Sequence, residues 1–141
     1  SDGYKRQAPI ICSHSSSMAM CKHDRNLTDE QLKALAQNGG VAQVCLLDRY
    51  INEDYKNASL TDAIEHIDHM VKVAGIDHVG IGSDFDGGGG IIGCESDNDF
   101  IQITVKLIEK GYTEEDIAKI WGGNLMRVLD EVQATASVKT L

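Results

Sequence analysis

Val41-Ala42-Gln43-Val44-Cys45-Leu46-Leu47-Asp48 is an apolar run with one polar interruption, and it closes on a carboxylate. Such a run reads as a strand buried on both faces, the type found in parallel sheets. Upstream, Thr28-Asp29-Glu30-Gln31 forms a capping box in which Gln31 reaches back to Thr28. Leu32, Leu35 and Ala36 continue it as an apolar stripe, and Asn38-Gly39 stops it. Before that, Pro9-Ile10-Ile11-Cys12-Ser13 is a second short apolar run. Downstream, Ser59 with Asp62 caps a helix that carries Ile64, Ile67, Met70, Val71 and Ala74 on one face and ends at Gly75. His78-Val79-Gly80-Ile81-Gly82-Ser83 is a third strand, whose glycines imply close backbone approach or a crowded interior.

Beyond this frame, helical spacing returns at Ile101, Val105 and Ile108 and ends at Gly111. Thr113 opens another helical stretch through Ile117 and Ile120. Asn124 to Val132 gives a last amphipathic helix, and the polar residues 133–141 read as a frayed tail. The lone Trp121 and the methionines fit core packing. Three buried strands, near 9–13, 41–47 and 78–83, alternate with helices, so the expected class is α/β with parallel strands joined by right-handed crossovers. An antiparallel pairing among the three would overturn that reading.

Composition narrows the function classes. The 141 residues carry 13 Lys and Arg against 22 Asp and Glu, a net charge of −9. That surface repels phosphate backbones, so no nucleic-acid partner is expected. No apolar run reaches 18 residues, so no membrane contact by this segment is expected. Ser1 to Arg6 lacks the apolar core of a signal peptide. Cys12, Cys21, Cys45 and Cys94 show neither a C-x-x-C pair nor zinc-finger spacing. Cys12 and Cys45 sit in apolar runs and read as small core residues.

In parallel α/β folds, reactive groups gather past the carboxyl ends of the strands. All three strands here run into polar residues: Ser13-His14-Ser15-Ser16, Asp48-Arg49-Tyr50, and Asp84-Phe85-Asp86. His14 suits a metal ligand or proton shuttle, or equally a hydrogen-bonded strand-end histidine. Asp84 suits a base, a metal ligand or a clamp on a substrate amine, or a turn-forming aspartate before glycines. Gly87 to Gly90 lack the Lys-Ser/Thr of a phosphate loop and read as a flexible loop. His66 and His69, three apart mid-helix, read as surface or helix-packing residues. Asp24 and Arg25 alone read as solvated loop charges.

Taken together, Pro9 to Ser16 with Arg25-Asn26-Leu27-Thr28-Asp29, Val79 to Gly87, and Gly122-Gly123-Asn124-Leu125-Met126-Arg127-Val128 resemble, in order and spacing over about residues 8–132, the zinc-dependent membrane (renal) dipeptidase family. The resemblance implies a single partial domain, the C-terminal strand-helix units, about three of the eight, of a TIM-type (β/α)8 metallohydrolase barrel. A complete barrel needs roughly 250 residues. It implies hydrolysis of dipeptides by a hydroxide bridging two zinc ions. Matched motif to motif, His14 corresponds to a zinc ligand, Arg25 to the residue gripping the substrate carboxylate, Tyr50 to a tyrosine lining the substrate site, and Asp84 to the catalytic aspartate handling the proton and the substrate amine. Asp86 is read as loop-shaping.

The family's remaining zinc ligands belong to a part preceding these motifs, so the expectation is a C-terminal piece with an incomplete zinc centre. Such a piece is expected to be inactive alone and to self-associate or dock on the missing N-terminal part of the barrel. Two other readings are another metal-dependent barrel amidohydrolase and a non-catalytic α/β binding or assembly module.

Overall fold

The computed structural model describes residues 9–12, 15–46, 48–82, 91–93 and 99–140. Strands β1 (Ile11–Cys12), β2 (Val41–Cys45) and β3 (Val79–Gly82) form one sheet in the order β1-β2-β3. Both pairings are parallel. Ile11 faces Val41 and Cys12 faces Ala42, while β2 pairs with β3 from Ala42–Val79 to Cys45–Gly82. The expected α/β class and the parallel pairing are therefore found, with β2 ending at Cys45, inside its apolar run.

Each strand lies beside its sequence neighbour, so both crossovers step the same way. Crossovers of one hand then set their helices on one side of the sheet. Helices α1 (Asp29–Gln37) and α3 (Leu60–Ala74) do pack against each other. This is the order of consecutive barrel units; a doubly wound sheet would reverse it.

Local chemistry sets the helix starts. Thr28 Oγ1 accepts the Gln31 N–H at 3.1 Å, and Gln31 Oε1 accepts the Thr28 N–H at 2.9 Å. Ser59 and Asp62 form the same reciprocal pair at the start of α3. Thr113 and Asp116 form a third at α5 (Glu114–Ala118), where only the helix start was anticipated. Gly75 stops α3 at φ +98°, a left-handed backbone that side chains with a Cβ rarely adopt.

One face of the sheet carries Cys12, Ala42, Val44, Val79 and Ile81, and packs with Leu32, Leu35, Ile64, Ile67 and Met70 from α1 and α3 into the main core. On the other face a Cβ on Gly80 would sit 3.3 Å from the Gln43 side chain and 3.5 Å from the Ile120 carbonyl. The expected crowding at that glycine is real.

Four sequence expectations change. In α4 (Phe100–Glu109) the buried residues are Ile103 and Leu107; Ile101, Val105 and Ile108 point outward, with Ile101 62% exposed. Both sets have helical spacing, and the packing partner selects between them. Among the methionines, Met70 is buried but Met20 and Met126 are exposed, and Trp121 is half-buried, donating its Nε1–H to Thr104 Oγ1 at 2.8 Å. A short helix, α2 (Asp48–Ile51), and a 3-10 turn (Tyr55–Asn57) follow β2 where only polar strand-end residues were read. The last helix, α6 (Asn124–Thr140), enters through a wide turn at Lys119–Gly123 and runs past Val132.

Helix α6 serves the amino ends of the strands. Asn124 Nδ2 donates to the carbonyls of Ile76 (2.6 Å) and Val79 (2.9 Å). Arg127 donates to Gly39 O (3.1 Å) and Asp77 O (2.8 Å). The Gly-Gly-Asn-Leu-Met-Arg motif is thus a structural clamp at the end opposite the candidate site. No helix among the described residues is long and apolar enough to cross a membrane.

At that same end the Val41 N–H donates to Ile10 O at 3.0 Å, and a Cβ on Gly40 would collide with that carbonyl. Gly40→Ala should therefore force β1 from β2 and destabilise the fold by about 1–3 kcal/mol, the usual scale of a forced backbone shift. A urea midpoint unchanged by the substitution would show that β1 is not held this closely.

Candidate functional site

The segment after β1, from Ser15 to Leu27, carries Arg25. It is tucked over the carboxyl ends of the strands by polar bonds. The Ser15 N–H donates to Gln43 O at 3.1 Å. Ser16 Oγ donates to Cys45 O (3.0 Å) and accepts the Cys45 N–H (3.1 Å), a side-chain link to the last residue of β2. Ser17 and Leu27 bridge, closing the segment into a loop.

Buried Asn26 holds the loop from within. Its Oδ1 accepts the Ser16 N–H at 3.0 Å, and its Nδ2 donates to Cys21 O and Tyr50 O, each at 2.9 Å. An amide that spends its acceptor and its donors on three backbone segments fixes their spacing, since any shift strands a buried polar group. Sequence reasoning quoted Asn26 only as part of a motif; its burial directly after an exposed arginine was not legible.

Two of the four sequence-derived site residues meet here. Arg25 is exposed, and its Nη1 lies 3.4 Å from the hydroxyl of buried Tyr50. His23 packs its ring on Tyr50 with centroids 4.2 Å apart, and its Nδ1 accepts the Arg25 N–H at 3.1 Å. Tyr50 comes from α2, which follows β2, so a guanidinium and a phenol from successive strand ends stand side by side. Such a pair can take a carboxylate, the guanidinium by its fork of N–H donors and the phenol by its O–H. His14 and Asp84 lie outside the described residues, as do Asp86, Gly87 to Gly90 and Cys94. After them the chain returns at Ile91-Ile92, where the Ile92 N–H donates to Ala58 O (2.9 Å) and Ile92 O accepts the Leu60 N–H (2.7 Å). Ile91-Ile92 is therefore held against the start of α3.

The histidine pair of α3 serves this end of the molecule. His66 is buried; its Nδ1 accepts the Ser17 N–H at 3.1 Å and its Nε2 lies 2.8 Å from Ile51 O. His69 bonds Asp29, in the first turn of α1, at 2.8 Å. Both act as packing residues, His66 as a buried polar link. Among the described residues no group of three or more His, Cys, Asp or Glu could hold a metal ion. Burial, and then the charge of Glu53, push the Cys21 thiol up, so it stays protonated and donates to Arg49 O at 3.3 Å; it is no nucleophile. An open depression of about 660 Å³ lies alongside, lined by Met18, Lys22, His23, Asp24 and the first turn of α1, but neither Arg25 nor Tyr50 lines it. The side-chain pair, rather than that depression, marks the chemistry.

The comparisons with known proteins show the family and the fold. The model of the family described as membrane dipeptidase (peptidase family M19) matches residues 5–141. Dipeptidase aclJ of Aspergillus oryzae is 38% identical over 132 residues, covering 92% of this chain and 31% of the relative. Dipeptidase ataJ of Aspergillus terreus is 40% identical over 132 residues, covering 92% and 32%. Among solved structures, a metallo peptidase from Rhodobacter sphaeroides, liganded with a phosphinate mimic of the dipeptide L-Ala-D-Ala, superposes with a TM-score of 0.85 at 28% identity, over 93% of this chain and 39% of that one. The probable dipeptidase PvdM from Pseudomonas aeruginosa gives 0.83 at 30%, over 90% and 46%. The chain spans about a third of the length of the curated relatives it matches.

The buried imidazole makes the loop sensitive to acid. Burial outweighs the hydrogen bond to Ile51 and the charge of Asp62, and holds the His66 pKa below its ordinary 6.5. The folded state therefore resists a proton that the unfolded chain accepts, so the stability is complete above about pH 6.5 and falls as the pH drops below it. Denaturation midpoints at pH 7.5 and 5.5 should show the loss. The loss should shrink in His66→Gln, which has no proton to gain; an equal loss in both proteins would remove His66 as its source.

Proposed function

Since the chain belongs to the membrane dipeptidase family, we propose that the protein it is part of is a zinc-dependent dipeptidase in which this segment supplies the grip on the substrate's free carboxylate and the group that handles the proton. The observation that carries the proposal is the juxtaposition of the exposed Arg25 guanidinium and the Tyr50 hydroxyl at the carboxyl ends of β1 and β2. A cation forked toward solvent, with its backbone locked by His23 and Asn26, suits a short peptide ending in a carboxylate. The relative bound to a phosphinate mimic of L-Ala-D-Ala supports that substrate class.

Within this reading Arg25 and Tyr50 bind and orient the dipeptide. Asp84, at the end of β3, holds the substrate amine and passes a proton to the departing amine nitrogen. His14 is of the donor type zinc takes, and it supplies one ligand. The family resemblance assigns the rest of the ligand set to a preceding part of the barrel. The zinc that His14 would help to hold would supply a nucleophilic hydroxide and polarise the peptide carbonyl. On this proposal the chain alone has no dipeptidase activity, even with added zinc. Its two open sheet edges, on β1 and β3, favour self-association or docking on the remainder of the barrel. The exposed Ile101-Val105-Ile108 stripe adds apolar surface in want of cover.

Two substitutions in the full-length protein test the roles. Arg25→Lys should raise the Michaelis constant for dipeptides, because one ammonium cannot reproduce a fork; an unchanged constant would return Arg25 to a solvated loop charge. Asp84→Asn should lower turnover by at least about 100-fold with the zinc content unchanged, the scale of lost acid-base catalysis. Zinc lost from that variant would make Asp84 a ligand instead.

A further inference from the structure

His66 is 1% exposed, yet both ring nitrogens are hydrogen-bonded to backbone from two other parts of the chain. The Ser17 N–H can only donate, so Nδ1 must be the acceptor. Nε2 must then carry the proton, which it gives to the Ile51 carbonyl. The partners alone dictate one neutral tautomer. A residue present only to fill space in α3 would need no such match; a leucine or methionine would serve.

The two partners are not arbitrary. Ser17 opens the loop that ends with Arg25 and Asn26, and its bridge to Leu27 ties both ends of that loop together. Ile51 directly follows Tyr50 in α2. The imidazole therefore spans the two segments that carry the guanidinium and the phenol. The same segments are joined again by Asn26 Nδ2 to Tyr50 O, Cys21 Sγ to Arg49 O and the Lys22 N–H to Glu53 Oε1. Among these links the imidazole is the one that comes from α3, so it fixes both segments to that helix as well as to each other.

We propose that His66 is a positioning residue for substrate recognition: its ring, held between the Ser17 N–H and the Ile51 carbonyl, sets the Arg25 guanidinium against the Tyr50 hydroxyl so that together they receive the substrate carboxylate. The inference rests on the reading of Arg25 and Tyr50 as the carboxylate grip. His66 itself touches no substrate and acts through the backbone of its neighbours.

The test uses the full-length enzyme with three substitutions. His66→Asn keeps an acceptor for Ser17, His66→Gln keeps a donor toward Ile51, and His66→Leu keeps bulk with neither. Each is assayed on a dipeptide and on the same dipeptide as its C-terminal amide, which lacks the carboxylate. For His66→Leu the expected result is a Michaelis constant for the dipeptide raised about 10- to 100-fold, the scale of a misplaced binding group. Turnover should stay within a few-fold, and the preference for acid over amide should collapse. Asn and Gln should fall between Leu and wild type. A role in stability alone lowers the amount of active enzyme and leaves the Michaelis constant and the acid-to-amide ratio where they were; that result overturns the proposal. Should His66→Leu fail to fold, wild-type ratios in both Asn and Gln overturn it equally. If the unsubstituted enzyme itself shows no preference for the free acid, the carboxylate-grip reading fails, and the role of His66 in it fails too.

Discussion

Strand β2 is hydrogen-bonded on both edges, and Val41, Ala42, Val44 and Cys45 are fully buried. A strand in that position has no water on any side, so every backbone group needs a protein partner and both faces need apolar cover. β1 and β3 meet the first need. α1 and α3 cover one face. On the other, the wide turn before α6 comes close enough that a Cβ at position 80 would sit tightly against the Gln43 side chain and in contact with the Ile120 carbonyl. Toward the carboxyl end of β2 the Ser16 hydroxyl both donates to and accepts from the Cys45 backbone. The candidate site begins at that side-chain link.

The loop beyond it is buried at its two ends and exposed at Met20, Lys22, Asp24 and Arg25. Ser16, Ser17 and Asn26 are almost fully enclosed, and a buried loop must satisfy its own amides. Asn26 and His66 do most of this, with only Ser17 Oγ left without a hydrogen-bond partner among the described residues. The outcome is an exposed arginine on a rigid base. On the proposed function such an arrangement would favour carboxylate binding, because a guanidinium oriented before substrate arrives leaves little ordering to oppose it.

Much of this was legible in the sequence, for reasons specific to each element. The capping boxes at Thr28 and Ser59 are local chemistry, and local chemistry survives folding. Three apolar runs, each flowing into polar residues, gave the parallel sheet and placed Arg25 and Tyr50 near strand ends, though only the family resemblance gave them roles. Helix α4 was read on the wrong face because Ile101, Val105 and Ile108 keep helical spacing as faithfully as Ile103 and Leu107; periodicity names a stripe, not its partner. Helix α2 has four residues, too few for any period to show. His66 reads as a surface or helix-packing residue, and it does pack. A mid-helix position does not show what it packs under: a crossover helix starts at the carboxyl end of its strand and runs back, so its first two turns lie beneath the strand ends. His14 and Asp84 fall outside the described residues, and for them the motif remains the whole argument.

The clamp formed by α6 has a temporal side. Arg127 closes on Gly39, 88 residues earlier in the chain, and Asn124 on Val79, 45 residues earlier. These contacts are long-range, and long-range contacts form late because the intervening chain must be ordered first. At ribosomal speeds of about 5–20 residues per second, the backbone around Gly39 waits roughly 5–20 seconds for its partner to be synthesised. Through that interval the start of β2 is a nascent strand with an unclosed end. A chaperone holding it, or slower translation of the last helix, would act on the yield of folded protein without touching any residue of the site.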